Sequence, residues 1–148
     1  MSLSEELPKR LAEILDDFEL CEGREKLELL LQYAESLPPL PEWLADQMGK
    51  MQAVPECMTP VSVFGRLENG AMEFYFDVPE ESPTVRGYAA IMAIGLQGTT
   101  PEQVLKIPSD FYLQTGLQDV LTAQRLNGMS AIIAHVKRLA VENMKVGL

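Results

Sequence analysis

The stretch VSVFGRLENGAMEFYFDV, residues 61–78, decides the fold. Apolar and polar residues alternate on both sides of Glu68-Asn69-Gly70, a turn sequence that allows positive φ, and this pattern predicts a β-hairpin. The second strand presents one apolar face, formed by Met72, Phe74, Phe76 and Val78. Because a lone hairpin is only marginally stable, helices must cover this face. Whether a third strand joins the hairpin is left open at this point.

Helical periodicity surrounds the hairpin, with apolar residues at i, i+3, i+4 and i+7. Before the hairpin, this spacing predicts two helices joined near Cys21-Glu22-Gly23. The first carries Leu11, Ile14, Leu15 and Phe18, and the second carries Leu27, Leu30, Leu31 and Ala34. After the hairpin, Ser82-Pro83 starts a helix from Thr84 to about Ile94, which is apolar nearly all round and is therefore expected to be buried. The last helix directs inward Met129, Ile132, Ile133, Val136 and Ala140.

The remaining segments are short. Leu37-Pro38-Pro39-Leu40-Pro41 predicts an extended segment, and Trp43 and Leu44 after it are expected to dock on the core. Thr100-Pro101-Glu102-Gln103 is a capping box for a further short helix. Together these patterns predict the α+β class: residues 1–148 form a single compact domain with helices packed on a small antiparallel sheet.

Composition excludes several functions. The chain has 148 residues and a net charge of −10, which argues against binding nucleic acid or an anionic membrane surface. Two cysteines and one histidine are too few for a four-ligand zinc site or a cluster held by Cys and His, and no nucleotide-binding motif is present. No cofactor or metal is therefore predicted. Low cysteine usage and the lack of a signal-peptide pattern favour the cytoplasm.

Cys57 is the main candidate for chemistry. It lies in VPECMTPV, residues 54–61, where Pro55 and Pro60 stiffen a loop that precedes a strand. The alternative is that Cys57 is a small apolar residue that happens to lie in a loop. Glu56 disfavours the thiolate, and no Lys, Arg or His lies within the loop, so a self-activated peroxidatic or protease cysteine is not predicted. The pattern instead indicates a thiol that reacts when a distant arginine or a partner protein completes the site.

Four other residues have weaker claims. Cys21 follows an apolar stripe and is interpreted as packing, although a disulfide with Cys57 stays open. His135 is offset from the apolar stripe of the last helix, and a solvated or helix-C-terminal position is expected. Arg86 opens an apolar helix and is expected to pair with a nearby carboxylate (Asp77, Glu80 or Glu81). Arg125 is placed just before the last helix begins, from where its long side chain can reach a neighbouring loop; the alternative is an exposed, solvated arginine.

Five segments together resemble the SufE family of sulfur-acceptor proteins, over about residues 7–140. They are Asp17-Phe18, Leu37-Pro38-Pro39-Leu40-Pro41, Val54-Pro55-Glu56-Cys57, Thr84-Val85-Arg86-Gly87 and Arg125-Leu126-Asn127-Gly128-Met129. The family fold agrees with the α+β prediction.

The resemblance also implies partners and roles. Cys57 corresponds to the acceptor cysteine, which takes persulfide sulfur from a cysteine desulfurase, a PLP enzyme, and passes it to an iron–sulfur cluster assembly scaffold. Arg125 matches the family's arginine near this cysteine and the partner surface. One departure is that many relatives carry Gly-Cys-Gln-Ser where this chain has Glu56-Cys57-Met58-Thr59, so the glutamine amide is absent.

Two interpretations follow. In the first, the chain is a persulfide carrier that stimulates a desulfurase and has no small-molecule substrate of its own. In the second, it is a regulatory module that docks a desulfurase without carrying sulfur. A thiol peroxidase that pairs Cys57 with Cys21 ranks last. The receiving scaffold and the oligomeric state are left open.

Overall fold

A computed structural model of the chain describes residues 7–54 and 60–146. Its elements follow in the order α1 (Lys9–Glu19), α2 (Arg24–Glu35), α3 (Glu42–Ala45), β1 (Gln52–Ala53), β2 (Ser62–Glu68), β3 (Ala71–Asp77), α4 (Pro83–Gly95), α5 (Pro101–Leu105) and α6 (Ala123–Val146), with short 3-10 turns at Met48–Lys50, Phe111–Thr115 and Leu117–Asp119. The α+β prediction is confirmed.

The predicted hairpin is the centre of the sheet. β2 pairs with β3 from Ser62↔Asp77 to Glu68↔Ala71, and Asn69 and Gly70 both adopt positive φ at the turn. The predicted apolar face is buried at Met72, Phe74, Phe76 and Val78. The third strand is β1, only two residues long, which pairs antiparallel with β2 in the order β1-β2-β3. A strand of two residues is too short to show an alternating pattern, so the sequence did not locate it.

The opposite face of the sheet carries an aromatic cluster. Trp43 packs edge-on against Phe64 and Tyr75, with ring centroids 5.9 and 5.4 Å apart. The guanidinium of Arg66 stacks 4.1 Å above the Trp43 ring, and Arg66 also pairs with Glu73 across the strands. Leu44 docks on the core as predicted, whereas Trp43 covers the outer sheet face.

Helix α4 is the central helix, with Val85, Tyr88, Ile91 and Met92 all buried, as predicted. Two of its glycines permit close packing. An added Cβ at Gly87 would overlap the Leu30 carbonyl oxygen of α2, and one at Gly95 would lie 2.8 Å from Leu11 Cδ1 of α1. Both helices therefore approach α4 at positions without a side chain.

Most predicted stripes are confirmed. The α1 residues Leu11, Ile14, Leu15 and Phe18 are buried, as are the five inward positions of α6. Thr100 and Gln103 form both bonds of the predicted capping box. The α2 stripe differs in part: Leu30 and Ala34 are buried, whereas Leu27 is half-buried and Leu31 remains 36% exposed. Helix α2 contacts α4 through Leu30, which packs against Gly87, so Leu31 lies beside this contact and not within it.

Replacing Gly87 with alanine is expected to destabilise the protein by about 3 kcal/mol. The new methyl group would clash with the backbone of α2, and α2 cannot move away without losing its contact with α4. Urea denaturation measures this loss. Gly49→Ala is the matched control, since an added Cβ there meets nothing within 4 Å and the change in stability should stay within about 1 kcal/mol. Similar values for the two variants would contradict the proposed packing.

Tyr88 gives a second stability prediction. Its side chain is fully buried and its hydroxyl has no hydrogen-bond partner among the described residues, so Tyr88→Phe should leave the free energy of unfolding unchanged or raise it by about 1 kcal/mol. Burial also raises the pKa of Tyr88 well above its ordinary value, and the nearby Tyr112 adds to the shift.

The raised pKa of Tyr88 makes the stability of the protein depend on pH. Above about pH 10 the unfolded chain loses the Tyr88 proton while the folded state keeps it, so stability that is present at lower pH is lost as the pH rises. Urea titrations of both proteins at about pH 8 and about pH 11 should show the wild type losing more stability than Tyr88→Phe. Equal losses of stability in the two proteins would show that the ionisation of Tyr88 does not contribute.

Candidate functional site

The candidate site lies at the end of the sheet where β1 leads into β2. The Val54 N–H donates to the Val61 carbonyl at 2.9 Å, next to the Ala53↔Ser62 pair. Val54 and Val61 are both buried. Cys57, the predicted acceptor, lies in segment 55–59, outside the described residues. In the sequence, two residues separate it from Val54 and three from Val61, so both flanking stems are fixed in the core.

The start of α4 is attached to this same end of the sheet. Ser62, at the beginning of β2, pairs with Asp77, the last residue of β3. The next residue, Val78, accepts a hydrogen bond at 2.6 Å from Nη1 of Arg86 in the first turns of α4. The expected carboxylate partner of Arg86 is thus replaced by a backbone carbonyl. The bond fixes the helix start relative to the strand that precedes it.

Arg125 connects the start of α6 to the start of α4. Its Nη1 donates to Thr84 Oγ1 at 2.9 Å, and its own N–H is capped by Thr122 Oγ1 at 3.3 Å. Helix α6 begins at Ala123, so the predicted position of Arg125 before the helix is wrong by about one turn. The chain of contacts from Ser62 through Val78 and α4 places Arg125 at the same end of the molecule as the two stems.

The electrostatics of this end differ from those of the whole chain. The N-terminal ends of α4 and α6 meet here, and each helix dipole is equivalent to about half a positive charge. The guanidinium groups of Arg86 and Arg125 add two formal charges. Asp77, Glu80 and Glu81 are the exposed acidic residues nearby in the sequence. A thiolate is favoured near helix N-termini and arginines, and these groups come from elements distant in the sequence.

Two further candidates occupy other environments. His135 is buried, with 4% of its surface exposed, and lies in the middle of α6, so the predicted solvated or helix-C-terminal position is wrong. The reason is that the long α6 packs against α5, β2 and α4 and buries a wider face than its apolar stripe. Cys21 is half-buried, and its thiol donates to the Asp17 carbonyl at 3.4 Å, consistent with a local role at the end of α1.

Thr84 is the residue that the sequence patterns did not single out as part of the site. It lies in the Thr84-Val85-Arg86-Gly87 segment. The Thr84 hydroxyl accepts a hydrogen bond from Arg125, and the Arg86 guanidinium donates one to the Val78 carbonyl. The sequence feature that could have identified Thr84 is a helix start with polar side chains, followed by a fully apolar helix.

Within residues 7–54 and 60–146, no group of three His, Cys, Asp or Glu side chains converges as a metal site would require. None of the helices in the described part of the chain combines the length and apolarity needed to cross a membrane.

Comparisons with known proteins identify the relatives of this chain. Residues 12–140 match the family model SufE, described as an Fe-S metabolism associated domain. An uncharacterised SufE-like protein of Mycobacterium tuberculosis is 40% identical over 139 residues, which cover 93% of this chain and 96% of that protein. The cysteine desulfuration protein SufE of Plasmodium vivax is 27% identical over 84% of this chain and 48% of its own length.

The fold is also similar to a solved one. The solution structure of a hypothetical protein from Thermus thermophilus superposes with a TM-score of 0.82 at 32% identity, covering 94% of this chain and 98% of that one. The similarity therefore extends over nearly the whole chain.

Arg125 is expected to favour the thiolate of Cys57. In a Cys21→Ser background, which leaves Cys57 as the single thiol, Arg125→Ala should move the midpoint of the pH–rate profile for iodoacetamide alkylation upward by about half a pH unit.

Arg138→Ala is the control for this effect. Arg138 is exposed on the same helix, thirteen residues or about 20 Å further along, and its removal changes the net charge equally. Its midpoint should stay unchanged. An equal shift in both variants, or none in Arg125→Ala, would count against a site that includes both residues.

Proposed function

Because the chain belongs to the SufE family, whose relatives support a sulfur-transfer role in iron–sulfur metabolism, we propose that it is a sulfur acceptor and carrier. Cys57 takes sulfur from a persulfide of a cysteine desulfurase and passes it to an iron–sulfur cluster assembly scaffold. The protein acts as a partner that empties the desulfurase rather than as an enzyme with its own small-molecule substrate.

The observation that carries this proposal is the arrangement around the two stems of segment 55–59. Val54 and Val61 anchor the segment in the core, and Arg86, Arg125 and two helix N-termini lie at the same end of the fold. A stable anchor, with two arginines and two helix N-termini at the same end of the fold, suits a cysteine that must be presented to another protein and react as a thiolate.

The proposed transfer is a thiol exchange that balances without an oxidant. The Cys57 thiolate attacks the terminal sulfur of the desulfurase persulfide, a new S–S bond forms on Cys57, and the S–S bond of the donor breaks. The donor cysteine leaves as a thiolate, and the terminal sulfur keeps its proton or releases it to solvent. The electron count of the pair of proteins is unchanged, because one persulfide is consumed and one is formed.

Arg125 has a supporting role in this proposal. Its guanidinium group is exposed, and among the described residues its side chain bonds to Thr84 Oγ1. A bond from a guanidinium to a negatively charged sulfur is stronger than one to a neutral hydroxyl, so Arg125 can exchange Thr84 for the sulfur of Cys57. Arg125 would then stabilise either the attacking thiolate or the persulfide product.

The acceptor role predicts a defined product. Incubation with a cysteine desulfurase, PLP and cysteine, followed by intact-mass measurement without reductant, should add the mass of one sulfur atom to the wild type. Peptide mapping should place that sulfur on Cys57, and Cys57→Ser should gain none.

Cys21→Ser is the matched control, because it removes the only other thiol of the chain and should accept sulfur normally. Desulfurase binding that survives Cys57→Ser, together with no added sulfur on the wild type, would instead identify a regulatory module. Sulfur on Cys21 alone would also contradict the proposal.

A further inference from the structure

A groove between α2 and α4 adjoins the candidate site. It has a volume of about 440 Å³ and is lined by Leu31, Ala34, Glu35, Glu80, Pro83 and Arg86. The lining comes from the C-terminal half of α2, the segment after β3 and the first turns of α4. Arg86 forms part of its wall and also holds Val78, so the groove is continuous with the end of the sheet described above.

The floor of the groove is apolar and incompletely covered. Leu31 is 36% exposed although its position in the sequence belongs to the buried stripe of α2, and Pro83 is exposed beside it. Ala34 contributes a buried surface between them. A leucine that the chain leaves uncovered next to a concave surface is suited to receive an apolar side chain from another molecule.

The rim of the groove is acidic. Glu35 and Glu80 are both exposed, and neither forms an ion pair within residues 7–54 and 60–146. The one cation of the lining, Arg86, is engaged by the Val78 carbonyl. The chain as a whole carries −10, so an approaching basic segment would be attracted both from a distance and at contact.

We propose that this α2–α4 groove docks a basic, amphipathic segment of the sulfur-donating protein. One apolar side chain of that segment covers Leu31 and Pro83, and Lys or Arg residues on either side of it pair with Glu35 and Glu80. The inference rests on the proposed function for the identity of the partner. It adds the surface that brings the donor persulfide to the end of the sheet where Arg125 and the stems of the Cys57 segment lie.

The groove is tested by reversing its charges and measuring the affinity for a cysteine desulfurase by titration calorimetry at low ionic strength. Glu35→Lys combined with Glu80→Lys should raise Kd about tenfold, and Leu31→Ser alone should raise it severalfold. Added salt should weaken binding of the wild type more than binding of the double variant. Leu31→Ser changes no charge, so it tests the apolar floor separately.

Glu13→Lys combined with Glu102→Lys is the matched control, because it changes the net charge by the same amount. Both residues are exposed and lie by the far end of α4, where Glu13 lines a cleft together with Gly95, about 20 Å along the helix from the groove. This variant should bind within twofold of the wild type. Thermal unfolding of all variants shows whether each is folded before its affinity is compared.

The outcomes separate this inference from the proposed function. At saturating desulfurase, the groove variants should still acquire sulfur on Cys57. An unchanged Kd in both groove variants, or tighter binding after charge reversal as an acidic segment would give, overturns the groove while the acceptor role stands. Failure of the wild type itself to acquire sulfur on Cys57 overturns the proposed function instead.

Discussion

The register of the β2–β3 hairpin is the constraint on which the rest of the structure depends. Side chains alternate between the two faces of a strand, so a slip of one residue would turn Phe74 and Phe76 out of the core and Tyr75 into it. The Asn69-Gly70 turn prevents that slip, because both residues adopt the positive φ that a tight hairpin turn needs. The same register pairs Ser62 with Asp77 and thereby sets where β3 ends.

Close helix packing transmits this register to the candidate site. Gly87 and Gly95 allow α2 and α1 to approach α4 directly, so α4 cannot shift along its axis without a clash. On the sheet itself, Gly65 has a similar role, since an added Cβ would lie 3.3 Å from Leu139 Cβ of α6. The helix starts that carry Arg86 and Arg125 are therefore positioned by close packing at these glycines and not only by their own polar bonds.

This arrangement bears on two electrostatic requirements of the sulfur carrier proposed above. A strongly acidic surface attracts a basic partner, yet it disfavours the anionic sulfur that must attack a persulfide. The fold offsets the second effect locally. At one end of the sheet, Arg86, Arg125 and two helix N-termini are brought together, although exposed carboxylates such as Glu80 lie nearby.

The sequence by itself determined most of the secondary structure and singled out Cys57 as the proposed acceptor cysteine. Periodicity specified the hairpin, the buried α4 and the inward face of α6, because each has a strong local signal, and the five family-like segments pointed to Cys57 and Arg125. Only the tertiary structure decided that β1 completes the sheet, that His135 is buried, that Leu31 is exposed, and that Thr84 holds Arg125. Each of these depends on which distant element packs against the residue, and a local pattern carries no information about that neighbour.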